Sequence, residues 1–220
     1  MGISDYTMRG LLYSPLFSLR AMARLYYRGG LWENKKDELK LYRVLPKYVE
    51  ALRDVVHGGD ASVYKVEGNK SNRPFIGIIT IFNNHNYFIP LTSYKERFKY
   101  LTAREVDFTP IYRRGKLIAG IEFNKMIPVP LNQIRPLDME IHKHDNDKTR
   151  AAKQMREYEY NWCNAHKDEI VKKAQNLYTM YIDQDIKYKN IKYCLNFPEL
   201  EKICIQYELE HPAQYIGGYI

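Results

Sequence analysis

Residues 75–91 read FIGIITIFNNHNYFIPL, and this stretch decides the fold. Residues 75–82 are apolar on both alternating faces, which is typical of a central strand that is buried on two sides. The four residues 83–86 tolerate a left-handed backbone and predict a turn, and residues 87–91 predict the returning strand. The stretch therefore predicts a hairpin at the centre of an antiparallel sheet.

Other parts of the chain extend this sheet. Residues 108–113 and 117–123 predict a second hairpin around a turn at 114–115, because apolar residues alternate strictly on its returning strand. Residues 126–130, MIPVP, predict an extended segment whose prolines suit a sheet edge. With a short strand at residues 41–42, the sheet is predicted to have about five or six strands.

Apolar residues at helical spacing predict one helix before the sheet and three after it. Pro46 stands in the first turn of the first helix, and the last helix begins near Asn196 and Pro198. The predicted buried stripes are Val49, Leu52 and Val56; Ala151, Met155, Tyr158, Trp162 and Ala165; Ile170, Ala174, Leu177 and Tyr181; and Leu200, Ile203, Cys204 and Tyr207. Strands first and helices afterwards predict one α+β domain over residues 39–220.

Residues 1–38 differ from the rest of the chain in their pattern of residue types and are predicted to be an appendage. Either the true start lies near Leu39 and the upstream segment is an annotation artefact, or residues 12–27 form an amphipathic helix that docks on the body or on a membrane surface. We expect the artefact or a disordered appendage. Pro15 and two arginines interrupt the apolar stretch, so it does not predict a membrane span.

The composition points towards a polyanionic partner. The 220 residues include 34 basic and 26 acidic side chains, a net charge of +8, and 20 of the aromatic residues are tyrosine. Tyrosine combines a flat face for stacking on bases with a hydroxyl for phosphate contact, so this balance suits single-stranded nucleic acid. The alternative is that the tyrosines fill half-buried positions.

Cofactor and metal sites are not predicted. The three cysteines have no close pair, which argues against a disulfide framework and favours the cytoplasm. His142 and His144 lie in a charged run without a second ligand cluster, which predicts a solvated loop. The sequence contains no glycine-rich phosphate loop or dinucleotide fingerprint.

Residues 90–97, PLTSYKER, are the densest candidate for chemistry. Hydroxyls at a strand end can hydrogen-bond phosphate oxygens, and Lys95 lies on the same side as Ser93 if the chain stays extended. The alternative is that Thr92 and Ser93 cap the following turn and that Lys95 is solvated.

Three segments together resemble the ToxN/AbiQ family, the RNA-cleaving toxins of type III toxin–antitoxin systems. They are RPFIGIITIFNNHNYFIPLTSYKER at 73–97, LIAGIEFNKMIPVP at 117–130 and CLNFPELEKICIQY at 194–207. The order and spacing of motifs match from Leu39 to about residue 208. The individual motifs are short, so the specificity of the resemblance lies in their order.

This resemblance implies a fold similar to the MazF and Kid toxins, with a strongly bent, barrel-like antiparallel sheet elaborated mainly by C-terminal helices. It also implies a metal-independent endoribonuclease without cofactors, in which the ribose 2′-hydroxyl attacks the adjacent phosphate to leave a cyclic phosphate and a 5′-hydroxyl. The family's Thr-Ser-x-Lys motif falls on Thr92, Ser93 and Lys95. Thr92 or Ser93 would orient the attacking hydroxyl or a phosphate oxygen, and Lys95 would neutralise the phosphate or protonate the leaving oxygen.

Residues that would hold RNA follow from the same resemblance and from charge. A basic residue before the first buried strand falls on Arg73, where an arginine replaces the family's lysine, and the family's helical tyrosine falls on Tyr48 beside Lys47. His85 is kept as an alternative general base, although a turn role is expected for it. The further candidates, chosen by loop placement and charge, are Lys65, Lys70, Arg113, Arg114, Lys116, Tyr94 and Tyr112.

The resemblance implies an antitoxin that is itself RNA, a repeat that folds as a pseudoknot and alternates with the toxin in a closed ring or chain. The free protein would then be monomeric, and the substrate would be adenine-rich mRNA. The alternative function is a non-catalytic RNA-binding module with the same basic, tyrosine-bearing surface. A peripheral membrane protein built around residues 11–27 is a third reading.

Overall fold

The computed structural model describes residues 38–55, 63, 75–76, 81–184, 189 and 191–212. Residues Leu39–Ile220 form one compact unit. The expectations for the appendage and its amphipathic helix lie outside the described residues, except at Glu38. Between residues 57 and 74 the structure describes Val63, which is buried.

Eight strands form one sheet in which every described pairing is antiparallel. The expected five or six strands are an undercount, because several of the strands are only two or three residues long. The strands are Leu41–Val44 (β1), Phe75–Ile76 (β2), Ile81–Phe82 (β3), His85–Ser93 (β4), Phe108–Arg113 (β5), Lys116–Glu122 (β6), Ile127–Pro128 (β7) and Ile134–Pro136 (β8).

Strand β4 is the central strand of this sheet. It pairs with β3 and β7 along its first half and with β2 and β6 along its second half. The main path runs β5-β6-β4-β2-β1-β8, and the two end strands are not paired with each other in the described part of the chain. The sheet is therefore open there, and the expected barrel-like closure is not found, while the likeness to MazF and Kid stays a prediction.

Both predicted hairpins are confirmed, and left-handed residues make their turns. Asn83 and Asn84 have φ angles of 46° and 66°, so the first turn has two residues, and His85 already belongs to β4. Arg114 and Gly115, at 49° and 75°, form the second turn. Positive φ at both central residues matches the twist of a two-residue hairpin, which favours Asn and Gly there.

The described residues form four helices at the predicted places, and three of them follow the sheet. Asn146 and Asn196 cap two of them by accepting the backbone N–H groups of Thr149 at 2.8 Å and Glu199 at 3.2 Å. None of the described helices is long and apolar enough to cross a membrane. The helices are Pro46–Val55 (α1), Asp147–Ala165 (α2), Lys167–Ile182 (α3) and Phe197–Glu210 (α4).

The buried face of α2 differs from the predicted stripe. Ala151 and Ala165 are exposed, whereas Lys153, Glu159 and Cys163 are buried. The ammonium of Lys153 is neutralised by the carboxylates of Asp138, at 2.7 Å, and Asp145, at 3.0 Å. A charged side chain can be buried once partners replace its water, and apolar periodicity does not detect this.

The hydrophobic core lies between the sheet and the helices. Its members include Tyr87, Phe88, Ile89 and Leu91 of β4 and Leu52, Leu177, Phe197 and Leu200 of the helices. Tyr158, Tyr181 and Tyr207 pack partly buried against this core, as their helical spacing predicts. The core therefore holds β4 in place, and β4 carries the Thr-Ser-x-Lys motif at its end.

Candidate active site

The motif lies where β4 leaves the core. Thr92 is 4% exposed and Ser93 is exposed, because neighbouring side chains of a strand point to opposite faces. The backbone stays extended at Lys95 (φ −131°, ψ 148°), which then occupies the N-cap of a 3₁₀ helix, Glu96–Tyr100. Thr92 and Ser93 therefore do not cap that helix, which removes the alternative role predicted for them.

The hydroxyl of Thr92 is buried and has no hydrogen-bond partner among the residues that the structure describes. Thr92 lies opposite Gly120 of β6, and a Cβ atom at Gly120 would come within 2.3 Å of the Phe108 ring and 3.1 Å of the Phe98 ring. The two rings are 4.7 Å apart between centroids. Because Gly120 has no side chain, the two aromatic rings fill the space above it. We call this space the glycine notch, and Thr92 lies beside it.

Two cations beside this notch share one carboxylate, and we call Lys95, Arg97 and Glu122 the Glu122 cluster. The Lys95 Nζ atom lies 3.6 Å from Glu122 Oε2, and the Arg97 guanidinium donates to Glu122 Oε1. The Glu122 side chain is only 6% exposed, against 34% for Lys95 and 56% for Arg97. The two cations of the cluster are therefore partly exposed, whereas the carboxylate that they contact is buried.

Lys125 adds a third cation near the cluster. It ends the 3₁₀ helix Phe123–Lys125 and is half-buried. Burial lowers the pKa of Lys125, the negative charge of Glu122 raises it again, and the positive charge of Arg97 lowers it. The local charge is positive, because three cations face one carboxylate.

The tip of the second hairpin carries a basic and aromatic surface. Arg114 and Lys116 are exposed, and Tyr112 is 48% exposed. Arg113 lies over the Tyr158 ring, 5.0 Å from its centroid, and the Tyr158 hydroxyl donates to the Tyr112 carbonyl at 2.7 Å. Helix α2 therefore holds this tip in place.

This tip lies close to the motif. Ser93 pairs with Ala119, and Lys116 lies three residues further along β6, about 10 Å at the rise of a strand. Tyr94 continues the pairing, since its backbone N–H donates to the Ile118 carbonyl at 2.8 Å, and its side chain is 38% exposed. The structure thus brings Ser93, Tyr94 and the hairpin tip onto neighbouring strands.

Tyr48 is not part of this surface. It is fully buried, its hydroxyl donates to the Pro128 carbonyl at 2.6 Å, and its ring lies 4.9 Å from the Tyr207 ring. The prediction that Tyr48 contacts RNA is wrong for this structure, because the buried face of α1 includes it together with Val49 and Leu52. Lys47, its neighbour, is exposed.

Three of the predicted RNA contacts, Arg73, Lys65 and Lys70, lie outside the described residues. His85 is described, and it stands at the opposite end of β4 from Ser93, about 25 Å away along a nine-residue strand. Burial lowers the pKa of His85, and the negative charge of Glu201 raises it. His85 is therefore a turn-side residue, and the structure gives no support for it as a general base.

The histidine pair before α2 stacks ring on ring, with 5.5 Å between the centroids of His142 and His144. Within the described ranges, no three His, Cys, Asp or Glu side chains come together as a metal site. The three cysteines, Cys163, Cys194 and Cys204, are buried and free.

The comparisons with known proteins bear on these residues. Residues 40–205 match the model of the toxin ToxN of type III toxin–antitoxin systems. The chain belongs to the ToxN family. The endoribonuclease ToxN of Bacillus thuringiensis subsp. kurstaki is 27% identical over 186 residues, which cover 81% of this chain and 89% of that protein. The predicted membership is therefore confirmed, and the match contains the whole Thr-Ser-x-Lys segment.

Solved structures share the fold of this ToxN-family chain. The lactococcal anti-phage endoribonuclease AbiQ, from a type III toxin–antitoxin system, superposes with a TM-score of 0.65 at 22% identity, covering 79% of this chain and 99% of AbiQ. A type III toxin that is inhibited by a non-coding RNA pseudoknot gives a TM-score of 0.64 at 22% identity, with 78% and 99% coverage. At this identity the likeness shows the fold.

The residue pattern placed Arg97 in the candidate segment 90–97 without giving it a role, and it did not identify Glu122 or Lys125 as neighbours of the motif. Glu122 carried a signal, because it is the acidic residue between apolar neighbours at the end of a strictly alternating strand. Its pairing with Lys95 and Arg97 depends on the register of β4 against β6, which joins residues almost 30 positions apart. That register comes from the structure.

Proposed function

We propose that this chain is an endoribonuclease toxin of a type III toxin–antitoxin system, and that it cuts RNA without a metal ion. The observation that carries the proposal is the Thr-Ser-x-Lys motif at the end of β4. Along residues 92–95 this chain of the ToxN family carries the buried Thr92, whose hydroxyl has no hydrogen-bond partner among the described residues, the exposed Ser93, and the Lys95 cation beside Glu122. The relatives named above are endoribonucleases, which supports the same activity here.

The proposed reaction is an internal transfer of the phosphate. The ribose 2′-oxygen forms a bond to phosphorus, the bond from phosphorus to the 5′-oxygen breaks, and the 2′-proton passes to solvent. The products are a 2′,3′-cyclic phosphate and a 5′-hydroxyl. Water is not consumed in this step, and no redox partner is needed.

The side chains at the end of β4 have separate roles in this proposal. Ser93 or Thr92 orients the attacking 2′-hydroxyl or a non-bridging phosphate oxygen. The Lys95 ammonium neutralises the charge that develops on the phosphate and protonates the leaving 5′-oxygen, and Arg73 adds a second positive charge. Positioning and electrostatic stabilisation then account for most of the rate, because His85, the candidate base, lies at the far end of β4.

RNA is also the proposed antitoxin. A fold relative is inhibited by a non-coding RNA pseudoknot, and the exposed Tyr94, Tyr112, Arg114 and Lys116 form a surface on which a folded RNA can stack and be neutralised. We propose that a repeat RNA pseudoknot occupies this surface in a closed ring or chain, and that the free toxin is a monomer. The anti-phage role of AbiQ supports a role in phage defence by abortive infection.

Cleavage of an adenine-rich RNA by the purified protein in EDTA tests the activity. We expect cutting with cyclic phosphate ends, and we expect Ser93→Ala and Lys95→Ala to lower the rate by about 100-fold or more. Lys99→Ala and Thr179→Ala are the matched controls, since both residues are exposed and lie outside the motif.

Complete loss of cutting with chelator would exclude the metal-free mechanism. Unimpaired cutting by both motif variants would exclude the site. A wild-type protein that shifts RNA in a gel without cutting it would establish the non-catalytic binding module instead. Growth arrest on expression that Ser93→Ala relieves would support the enzyme.

A further inference from the structure

Glu122 is a buried carboxylate that the proposed reaction does not use. It ends strand β6 and lies opposite Phe108 in the register of the sheet. Gly120, two residues earlier on the same strand, lies opposite Thr92. Because residues two apart on a strand share a face, Glu122 lies on the same face of the sheet as Thr92.

The two oxygens of this carboxylate hold different cations. Oε1 accepts from the Arg97 guanidinium, and Oε2 lies 3.6 Å from the Lys95 ammonium. Both cations also lie over the ring of Phe98, with the Arg97 Cζ atom 5.5 Å and the Lys95 Nζ atom 5.7 Å from its centroid. The Glu122 carboxylate and the Phe98 ring thus each contact both cations.

The cations can still receive a phosphate while they contact Glu122. Lysine carries three N–H donors and arginine five, so each cation can bind several acceptors at once, of which the Glu122 carboxylate is one. A planar guanidinium and an ammonium side by side suit two non-bridging phosphate oxygens. Lys125 keeps the local charge positive, since three cations oppose one carboxylate.

We propose that Glu122 is a positioning residue and that Arg97 is a further phosphate-binding residue of the same site. The Glu122 carboxylate holds the Lys95 ammonium and the Arg97 guanidinium as a pair, and this pair grips the two non-bridging oxygens of the scissile phosphate. The inference rests on the proposed ribonuclease activity, which it deepens by adding two residues outside the Thr-Ser-x-Lys motif.

The competing interpretation is that Glu122 only masks the two cations until RNA displaces it. The two interpretations predict opposite changes when the negative charge is removed at constant size. If Glu122 masks the cations, Glu122→Gln binds RNA more tightly and also cuts it faster. If Glu122 positions them, the same variant binds RNA as well as before or better, and cuts it more slowly.

The decisive experiment measures single-turnover cleavage and RNA affinity of the full-length protein separately. For Glu122→Gln we expect a rate constant about 10- to 100-fold below wild type, with a dissociation constant equal to or below the wild-type value. The matched control is Glu96→Gln, since Glu96 is an exposed carboxylate of the same segment that pairs with Lys99. The control should cut within about threefold of wild type. A Glu122→Gln rate at or above wild type overturns the inference.

Arg97 keeps the inference testable if Glu122→Gln does not fold. Its side chain is 56% exposed, so Arg97→Ala leaves the core intact. We expect Arg97→Ala to weaken RNA binding and to slow cutting about tenfold or more, and Arg97→Lys to restore part of both. Arg97→Ala with wild-type affinity and rate overturns the phosphate-binding role.

The outcomes also separate this inference from the proposed function. A wild-type protein that does not cut RNA removes the activity and the inference together. A wild-type protein that cuts RNA, alongside a folded Glu122→Gln that cuts equally well, removes the inference alone. Thermal melting of each variant establishes that it is folded.

Discussion

Thr92 carries a cost to stability that its position in the site explains. A buried hydroxyl without a hydrogen-bond partner loses about 1–3 kcal/mol of hydration. Thr92 is in this state, whereas Thr109, equally buried on β5, accepts a hydrogen bond from the Lys173 ammonium at 3.0 Å. Two threonines of the same sheet thus differ only in whether the hydroxyl is paired, and the unpaired one belongs to the motif.

Replacing each threonine by valine separates stability from function. We expect Thr92→Val to raise the free energy of unfolding by about 1 kcal/mol and to lower the RNA cleavage rate by about tenfold or more, because it removes an unpaired hydroxyl of the site. We expect Thr109→Val to lower the free energy of unfolding by about 1–3 kcal/mol, since Lys173 loses an acceptor. Urea denaturation and a cleavage assay measure the two quantities.

The test is that the two substitutions change the free energy of unfolding in opposite directions. A Thr92→Val protein that is both less stable and fully active would contradict the assignment, because the hydroxyl would then serve the fold and not the reaction. A Thr109→Val protein as stable as wild type would show that pairing does not separate the two positions.

The elements of the sheet differ in how far the sequence predicts them. Turn residues are local, so Asn83 and Asn84, like Arg114 and Gly115, place both hairpins. The partners of β4 are not local, because one strand pairs with four others along its length. Strand β7 falls within the extended segment predicted at residues 126–130, whereas the residue patterns missed β8, which pairs with β1.

The site follows the same division. Thr92, Ser93 and Lys95 are contiguous, so a short motif can locate them. Glu122 reaches the motif only through the register of β4 against β6. Tyr48 shows the converse case, because the resemblance to the family places it among the RNA contacts, whereas the packing of α1 buries it.

Helix α2 contains a carboxyl whose titration should be visible in the stability of the protein. Burial raises the pKa of Glu159 from 4.5 to about 7, and the positive charge of Arg156 lowers it only partly. The folded state therefore holds a proton that the unfolded state releases between these two pH values. This contribution to stability is present below about pH 4.5 and is lost as the pH rises through about 7.

We predict that Glu159→Gln flattens this part of the stability profile. The pKa difference corresponds to about 3 kcal/mol. Between pH 5 and 8 the free energy of unfolding of the variant should therefore rise, relative to that of wild type, by up to about that amount. Urea denaturation at a series of pH values measures the difference. Glu157→Gln is the control, since Glu157 is exposed on the same helix. Parallel profiles for wild type and Glu159→Gln would show that Glu159 is not held protonated.

At the scale of the whole molecule, one compact unit and the family match cover nearly the same part of the chain. Residues Leu39–Ile220 form the compact unit, and the family match spans residues 40–205. Residues 1–38 hold 6 basic and 4 acidic side chains. Removing them lowers the number of basic side chains from 34 to 28 and the number of acidic side chains from 26 to 22. The remaining net charge of +6 keeps the attraction for RNA.

We therefore predict that the chain without residues 1–38 folds and cuts RNA by itself. Its single-turnover cleavage rate and its RNA affinity should lie within about threefold of the full-length values. The reason is that the described site residues all lie between Lys47 and Lys125, outside the removed segment. The slope of RNA affinity against salt should also stay the same, since phosphate contacts set that slope. A folded truncation that loses more than about tenfold in rate at unchanged affinity would place part of the reaction in residues 1–38, and an equal loss in affinity alone would make those residues part of the RNA surface.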